Sequence, residues 1–174
     1  MLFRSDLENP VIPLTVSLSA QSNAPGLDGV MSLATTVSRK GQAWRAEGTQ
    51  LKLKATGAVL QGESVDLEFG ADIDFAPATR KTTLTNVNVA APALGFGQQS
   101  GKLDLKATQL SFEHSTQAMS AVGLTLDATE VRSQFLNGTL AVRADSAEGS
   151  AIGQNFTAKG LTVQAPGDRK STRL

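Results

Sequence analysis

LDLKA at residues 103–107 and LTLDA at 124–128 share one arrangement: two apolar side chains two residues apart, then a small one two further on. The same five-residue unit is LKLKA at 51–55, LEFGA at 67–71, VNVAA at 87–91, LAVRA at 140–144 and LTVQA at 161–165. The units start at 51, 67, 87, 103, 124, 140 and 161, so the gaps run 16, 20, 16, 21, 16 and 21. Weaker copies stand upstream, LTVSL at 14–18 and MSLAT at 31–35. The chain therefore carries a repeat of about 37 residues made of two similar halves. A fixed period means an array in which each unit leans on its neighbours.

Alternation decides what each half is. Residues at i, i+2 and i+4 share one face of a β-strand. Lys52, Lys54, Asp104, Lys106, Thr125 and Asp127 fall on the other face and are polar. This is the pattern of a half-buried antiparallel sheet. No stretch keeps an apolar period of 3.6 over three turns, so the expectation is an all-β chain. It is a repetitive antiparallel meander of about nine strands, from near Val11 to near Ala165, forming a curved, groove-like sheet. Alternate strands carry an extra upstream piece, as in Trp44-x-Ala46, Thr82-x-Leu84, Met119-x-Ala121 and Phe156-x-Ala158. A two-residue step joins each piece to the next apolar position, and it reverses which parity is apolar. A regular strand cannot do that, so a bulge is expected in alternate strands, with Gly123 and Gly160 inside the step.

Composition narrows the function classes. Acidic and basic residues balance at 16 each, so there is no basic field for nucleic acid. With no Cys, disulfides and thiolate chemistry are excluded. Aromatics are only 5%, and small residues dominate, which suits a sheet with one apolar face better than a closed core of large side chains. No apolar run approaches the roughly 18 residues that span a bilayer. Residues 168–174, DRKSTRL, break the alternation and are set aside as a non-native tail; residues 1–5 are set aside as a non-native start. The repeat segment is taken as 6–167, a fragment of a longer array.

Catalytic, cofactor and metal sites are expected to be absent. His114 is the single His and reads as a solvated turn residue, since a metal or a nucleophile–base pair needs partners at defined spacing. Asp72 and Asp74 share a strand face but lie among apolar neighbours, so they read as solvated, as do Glu63, Asp66 and Glu68. Gly95, Gly97 and Gly101 lack the spacing and the Lys-Ser/Thr of a phosphate loop, and read as a flexible turn. Asn137-Gly138 reads as a tight hairpin turn. Trp44 and Phe156 occupy equivalent positions and are expected to pack on the sheet face. The chain is not expected to be an enzyme.

TLTNVNVAAPALG at 83–95, QSGKLDLKA at 99–107, VGLTLDA at 122–128 and FTAKGLTVQA at 156–165 resemble the text of the AsmA family, over about residues 11–167. The resemblance implies a large periplasmic protein of Gram-negative bacteria. Such a protein is anchored in the inner membrane by one N-terminal helix, is linked to outer-membrane biogenesis, and is similar in build to bridge-like lipid transport proteins. The anchor is not in this chain, so membrane attachment is expected from a part outside it.

A continuous apolar face needs a cover: a second layer, a partner, or phospholipid acyl chains. The expected lining is Leu51, Leu53, Leu67, Phe69, Val87, Val89, Leu103, Leu105, Leu124, Leu126, Leu140, Val142, Leu161 and Val163, with the Ala of each unit keeping one edge shallow. No charge falls on that face, which suits fluid acyl chains with headgroups at a wet rim. The alternative is a structural β-solenoid or sandwich of a bacterial surface or adhesin protein, with the same stripe as closed core.

Overall fold

The structure, a computed structural model, describes residues 10–20, 27–57, 64–96, 99–133 and 137–165. Ten strands follow in chain order: β1 Val11–Ala20, β2 Leu27–Lys40, β3 Ala43–Gly57, β4 Ser64–Ala76, β5 Lys81–Phe96, β6 Gln99–Glu113, β7 Ala118–Arg132, β8 Asn137–Ser150, β9 Asn155–Lys159 and β10 Thr162–Gln164. Every pairing is antiparallel and joins neighbours in sequence, except that both β9 and β10 pair with β8. They are two halves of one broken strand, so the sheet is a nine-strand meander. It is not closed, and the described residues include no helix. The regularity of the primary sequence is thus realised as one layer, where most domains pack two or three.

Four described turns define one end of the sheet. Gly41 has φ +62°, which suits the two-residue turn between Lys40 and Ala43. The other three span residues 77–80, 114–117 and 151–154. Their last residues, Arg80, Gln117 and Gln154, are left-handed with φ of 50°, 50° and 47°. The Arg80 N–H donates to the Pro77 carbonyl at 3.2 Å, as in a turn closed by a left-handed residue. Successive turns are tied together: the His114 N–H donates to the Arg80 carbonyl at 3.0 Å, and the Ala151 N–H to the Gln117 carbonyl at 3.2 Å.

The expected bulges form a line across the sheet. Gly48, Asn86, Gly123 and Gly160 all have positive φ, at 58°, 55°, 62° and 63°. Their spacing is the repeat itself, 38, 37 and 37 residues. A side chain on the adjacent strand serves each one. Asp72 accepts the Gly48 N–H at 2.8 Å and the Asn86 side-chain amide at 3.1 Å. Thr108 lies against Gly123, and Asp145 against Gly160. Only in part is the step confined to alternate strands. Register shifts separate β2 from β3, β3 from β4 and β4 from β5 here, as expected. From β5 to β8 the pairing runs through this line without a shift, so β6 and β8 take the same step, Ala107 to Leu110 and Ala144 to Ala147. A second set of shifts lies toward the other strand ends, where Glu130 has φ +53°. Bulges increase twist and bend the strands that carry them.

The core is thin. The buried hydrophobic residues are Ala55, Ala71, Val87, Ala91, Ala107, Ala144 and Ala147. A single layer covers a side chain only by its neighbours on the same face, so small residues vanish beneath large ones while the large ones stay half exposed. Ala71, Val87 and Ala107 form the centre, packed by Phe69, Ile73, Leu84, Val89, Leu105, Leu110 and Leu124.

Two turn expectations are corrected. Asn137 and Gly138 are the first residues of β8, paired with Arg132 and Val131, so they do not form the hairpin turn. The Asn-Gly signal loses because pairing with β7 extends past it. Gly95 and Gly101 likewise sit in strands, paired with Ser100 and Leu94. Gly95 and Gly101 are therefore not turn residues, because ladder pairing continues to Phe96 and Gln99. Gly97, like Glu63 and both terminal segments, lies outside the described residues.

Candidate functional site

Register turns the repeat into rows. Val16, Leu33, Leu51, Phe69, Val89, Leu105, Leu126, Val142 and Val163 are consecutive cross-strand partners through all nine strands. Beyond the bulge line a second row runs Ile12, Val37, Ala46, Ile73, Leu84, Leu110, Ala121, Ala147 and Ala158. The bulge is what keeps both rows on one face: without the extra residue, the second would point to the polar side.

Between and beside these rows, small residues meet large ones. Ala55 stands opposite Val65, Ala91 opposite Leu103, and Ala128 opposite Leu140. On the other side of the central row, Ala107 pairs Val87 and Ala144 pairs Leu124. The expectation that the Ala residues keep one edge shallow is therefore corrected. Adjacent strands run in opposite directions, so their Ala residues alternate between the two sides of the row, and Ala55, Ala91, Ala107, Ala128 and Ala144 each stand opposite a neighbour's Leu or Val.

The expected lining residues Leu51, Leu53, Leu67, Phe69, Val87, Val89, Leu103, Leu105, Leu124, Leu126, Leu140 and Val142 all lie on β3–β8 and are half buried, apart from buried Val87. Leu161 falls in the break between β9 and β10, and it and Val163 are exposed because the last strand has a neighbour on one side only.

The second row was not among the expected lining residues. Its signal was in the sequence: Ala71-x-Ile73-x-Phe75 simply continues the alternation, and the upstream pieces hold Ala46, Leu84, Ala121 and Ala158. A third, aromatic row lies nearer the turns. Trp44 pairs Phe75, Phe75 pairs Thr82, Thr82 pairs Phe112, and Phe112 pairs Met119. Phe156, opposite Gly149, ends it. Trp44 and Phe156 are exposed on the sheet face, at 40% and 73%.

The opposite face is polar and ion-paired. Lys52 meets Glu68 and Lys54 meets Asp66, each at 3.0 Å, and Arg45 reaches both Glu47 and Asp74. The two hydrogen bonds to Asp72, the one from the Gly48 backbone N–H foremost, hold its carboxyl below the usual value of 3.8. It serves the fold. His114 sits in its turn but is not simply solvated. Its ring meets Phe112 edge-on at 4.7 Å, and Nε2 is 2.9 Å from the Thr82 hydroxyl. The described residues hold no group of three or more metal-ligating side chains, and none of their helices could cross a membrane because there are none.

Size sets what such a face can do. Strands are about 4.8 Å apart and rise about 3.3 Å per residue, so the three rows cover roughly 38 Å by 21 Å, on the order of 800 Å². That exceeds the roughly 300–600 Å² of the largest patch on an ordinary soluble monomer. No protein-family model, no curated protein and no solved structure matches this chain. The rows and what they could hold are therefore the basis for a functional reading.

Proposed function

We propose that the chain is a segment of an AsmA-like protein of outer-membrane biogenesis, working in the periplasm between inner and outer membranes. It binds phospholipid acyl chains on its apolar face and conducts them across the strands. The observation that carries this reading is the unbroken apolar row from Val16 to Val163 on a sheet with no second layer among the described residues. Each acyl CH₂ moved out of water contributes about 0.8 kcal/mol, without needing a directional partner. Along the row, similar side chains recur at every strand, about 4.8 Å apart. A chain sliding from one strand to the next exchanges one aliphatic contact for another, so no position traps it. Nothing in the residues would hydrolyse a nucleotide, so movement within the segment is passive.

Native mass spectrometry of the chain purified without detergent from a Gram-negative host, with extraction of bound lipid, tests this. Phospholipid should co-purify with the wild type and with Lys106→Ala, whose side chain is on the polar face. Leu105→Asp and Leu126→Asp, each placing a charge in the central row, should lose it while keeping a β-rich circular dichroism spectrum. A folded wild-type monomer carrying no lipid would refute the proposal.

A further inference from the structure

We infer that the headgroup of a bound phospholipid sits at the turn end of the apolar face, beside Trp44 and Phe75, with its acyl chains running inward over the aliphatic rows. This rests on the reading of the face as a lipid-binding surface and adds which rim meets the headgroup. Two independent observations point to that rim.

The first is the distribution of aromatic side chains. Of the five whose surroundings are described, Trp44, Phe69, Phe75, Phe112 and Phe156, four lie in the row nearest the turns. Of aromatic residues the two rows farther in hold Phe69 alone, and by position Phe96 ends β5 at the far strand ends. Aromatic rings, Trp above all, favour the boundary where apolar surface meets water and headgroups. A face that was merely the core of a sandwich would have no reason to sort its side chains by distance from one rim.

The second is charge. Arg39 and Lys40 end β2, and Arg80 and Lys81 stand at the start of β5, so four cations stand along the rim on either side of the Trp44–Phe75 pair; by alternation Arg39 shares the Trp44 face, while Lys40 and Lys81 leave the strand ends on the other face. Lys40, Arg80 and Lys81 make no ion pair among the described residues. Arg39 is held at the turn by its Nε bond to the Gly41 carbonyl, at 2.8 Å, and its guanidinium lies 5.3 Å over the Trp44 ring. The acids of this rim are placed otherwise. Glu113, opposite Lys81 in register, accepts the Ser115 and Thr116 hydroxyls, and Glu148 stands farther along on β8. At the far strand ends, Lys54 and Lys102 are taken by Asp66 and Glu130. Among the described residues, the cations without an ion pair therefore gather at the turn rim on the β2–β5 side, Lys40, Arg80 and Lys81 against Arg132 alone at the far strand ends, and a phosphate headgroup is the complementary occupant.

Trp44 is the only Trp of the chain and reports from that rim directly. The full chain would be mixed with phosphatidylglycerol vesicles carrying a nitroxide either in the headgroup or at the acyl-chain end. Lipid binding would be measured separately by co-flotation. The expected result is a blue-shifted Trp44 emission, quenched more strongly by the headgroup nitroxide. The combined substitution Lys40→Gln, Arg80→Gln, Lys81→Gln, at exposed positions, should weaken phosphatidylglycerol binding about tenfold or more. Stronger quenching by the chain-end nitroxide, or unchanged binding by the triple variant, would overturn the inference while leaving lipid binding by the face intact. No co-flotation would overturn both readings. A blue shift that appears without lipid as protein concentration rises would mean that a second copy covers the rim, and would also overturn the inference.

Discussion

Gly123→Ala tests whether the bulge line holds the two apolar rows on one face. Gly123 has φ +62°, a conformation that costs an L-residue with a Cβ about 1–2 kcal/mol. An added Cβ would also lie 2.6 Å from Thr108 Oγ1 and 3.4 Å from Thr108 Cβ. Thr is branched at Cβ and has few rotamers to retreat to, so displacing it adds about 0.5–1.5 kcal/mol. Lower entropy of the unfolded Ala chain offsets about 0.4–1 kcal/mol. The net loss is about 2 kcal/mol. With a urea slope of about 2 kcal/mol per molar, the unfolding midpoint should fall by about 1 M. Thr108→Ala in the same chain should recover roughly a third to a half of that loss, because it removes the clash and leaves the dihedral cost. The assay is urea unfolding followed by circular dichroism for both single variants and the double variant. An unchanged midpoint for Gly123→Ala, or no recovery by Thr108→Ala, would refute the account of the bulge.

Three further outcomes are expected. Asp72 has a folded-state pKa below its ordinary value, so its stabilising contribution is present above about pH 4 and is lost as pH falls through the folded pKa. Asp72→Asn should therefore flatten the fall of the urea midpoint between pH 5 and pH 2 that the wild type shows. Ala91, fully buried opposite Leu103, leaves no room for growth; Ala91→Leu should cost about 1–3 kcal/mol in chemical denaturation. Lys52→Ala removes an exposed ion pair with Glu68 and should change stability by less than about 1 kcal/mol, with lipid co-purification unaltered.

The strands, their direction and the line of bulges were legible because each is written locally. Alternation marks a strand, and the two-residue step before Leu124 and Leu161 marks a break in it. What the sequence did not display was the consequence of antiparallel register. The Ala residues look as though they share one edge when read along the chain, yet reversal of alternate strands places Ala55 and Ala71 on opposite sides of the central row. Asn137-Gly138 failed as a turn for a related reason. A strong turn dipeptide competes with ladder hydrogen bonds, and pairing to Val131 and Arg132 prevailed. The aromatic row escaped notice because Phe75 and Phe112 come at the ends of strands whose repeat unit lies earlier, and only pairing brings them beside Trp44 and Met119. His114 reads as a free turn residue for the same reason: Phe75 and Thr82 are distant in sequence and arrive only through the sheet.

The strict neighbour-to-neighbour order of the meander also bears on how the molecule is made. Each strand from β2 to β9 pairs with the one that precedes it, and β10 joins β8 beside β9, so no segment has to wait for a distant partner to be synthesised or translocated. A chain emerging from its N-terminus can add one hairpin at a time, each laid on an edge already in register. The newest strand is then always the exposed edge, with unpaired backbone groups able to capture a wrong strand. Growth that keeps pace with emergence shortens the life of each such edge, and a pause midway through a hairpin would be the moment of greatest risk of misassembly.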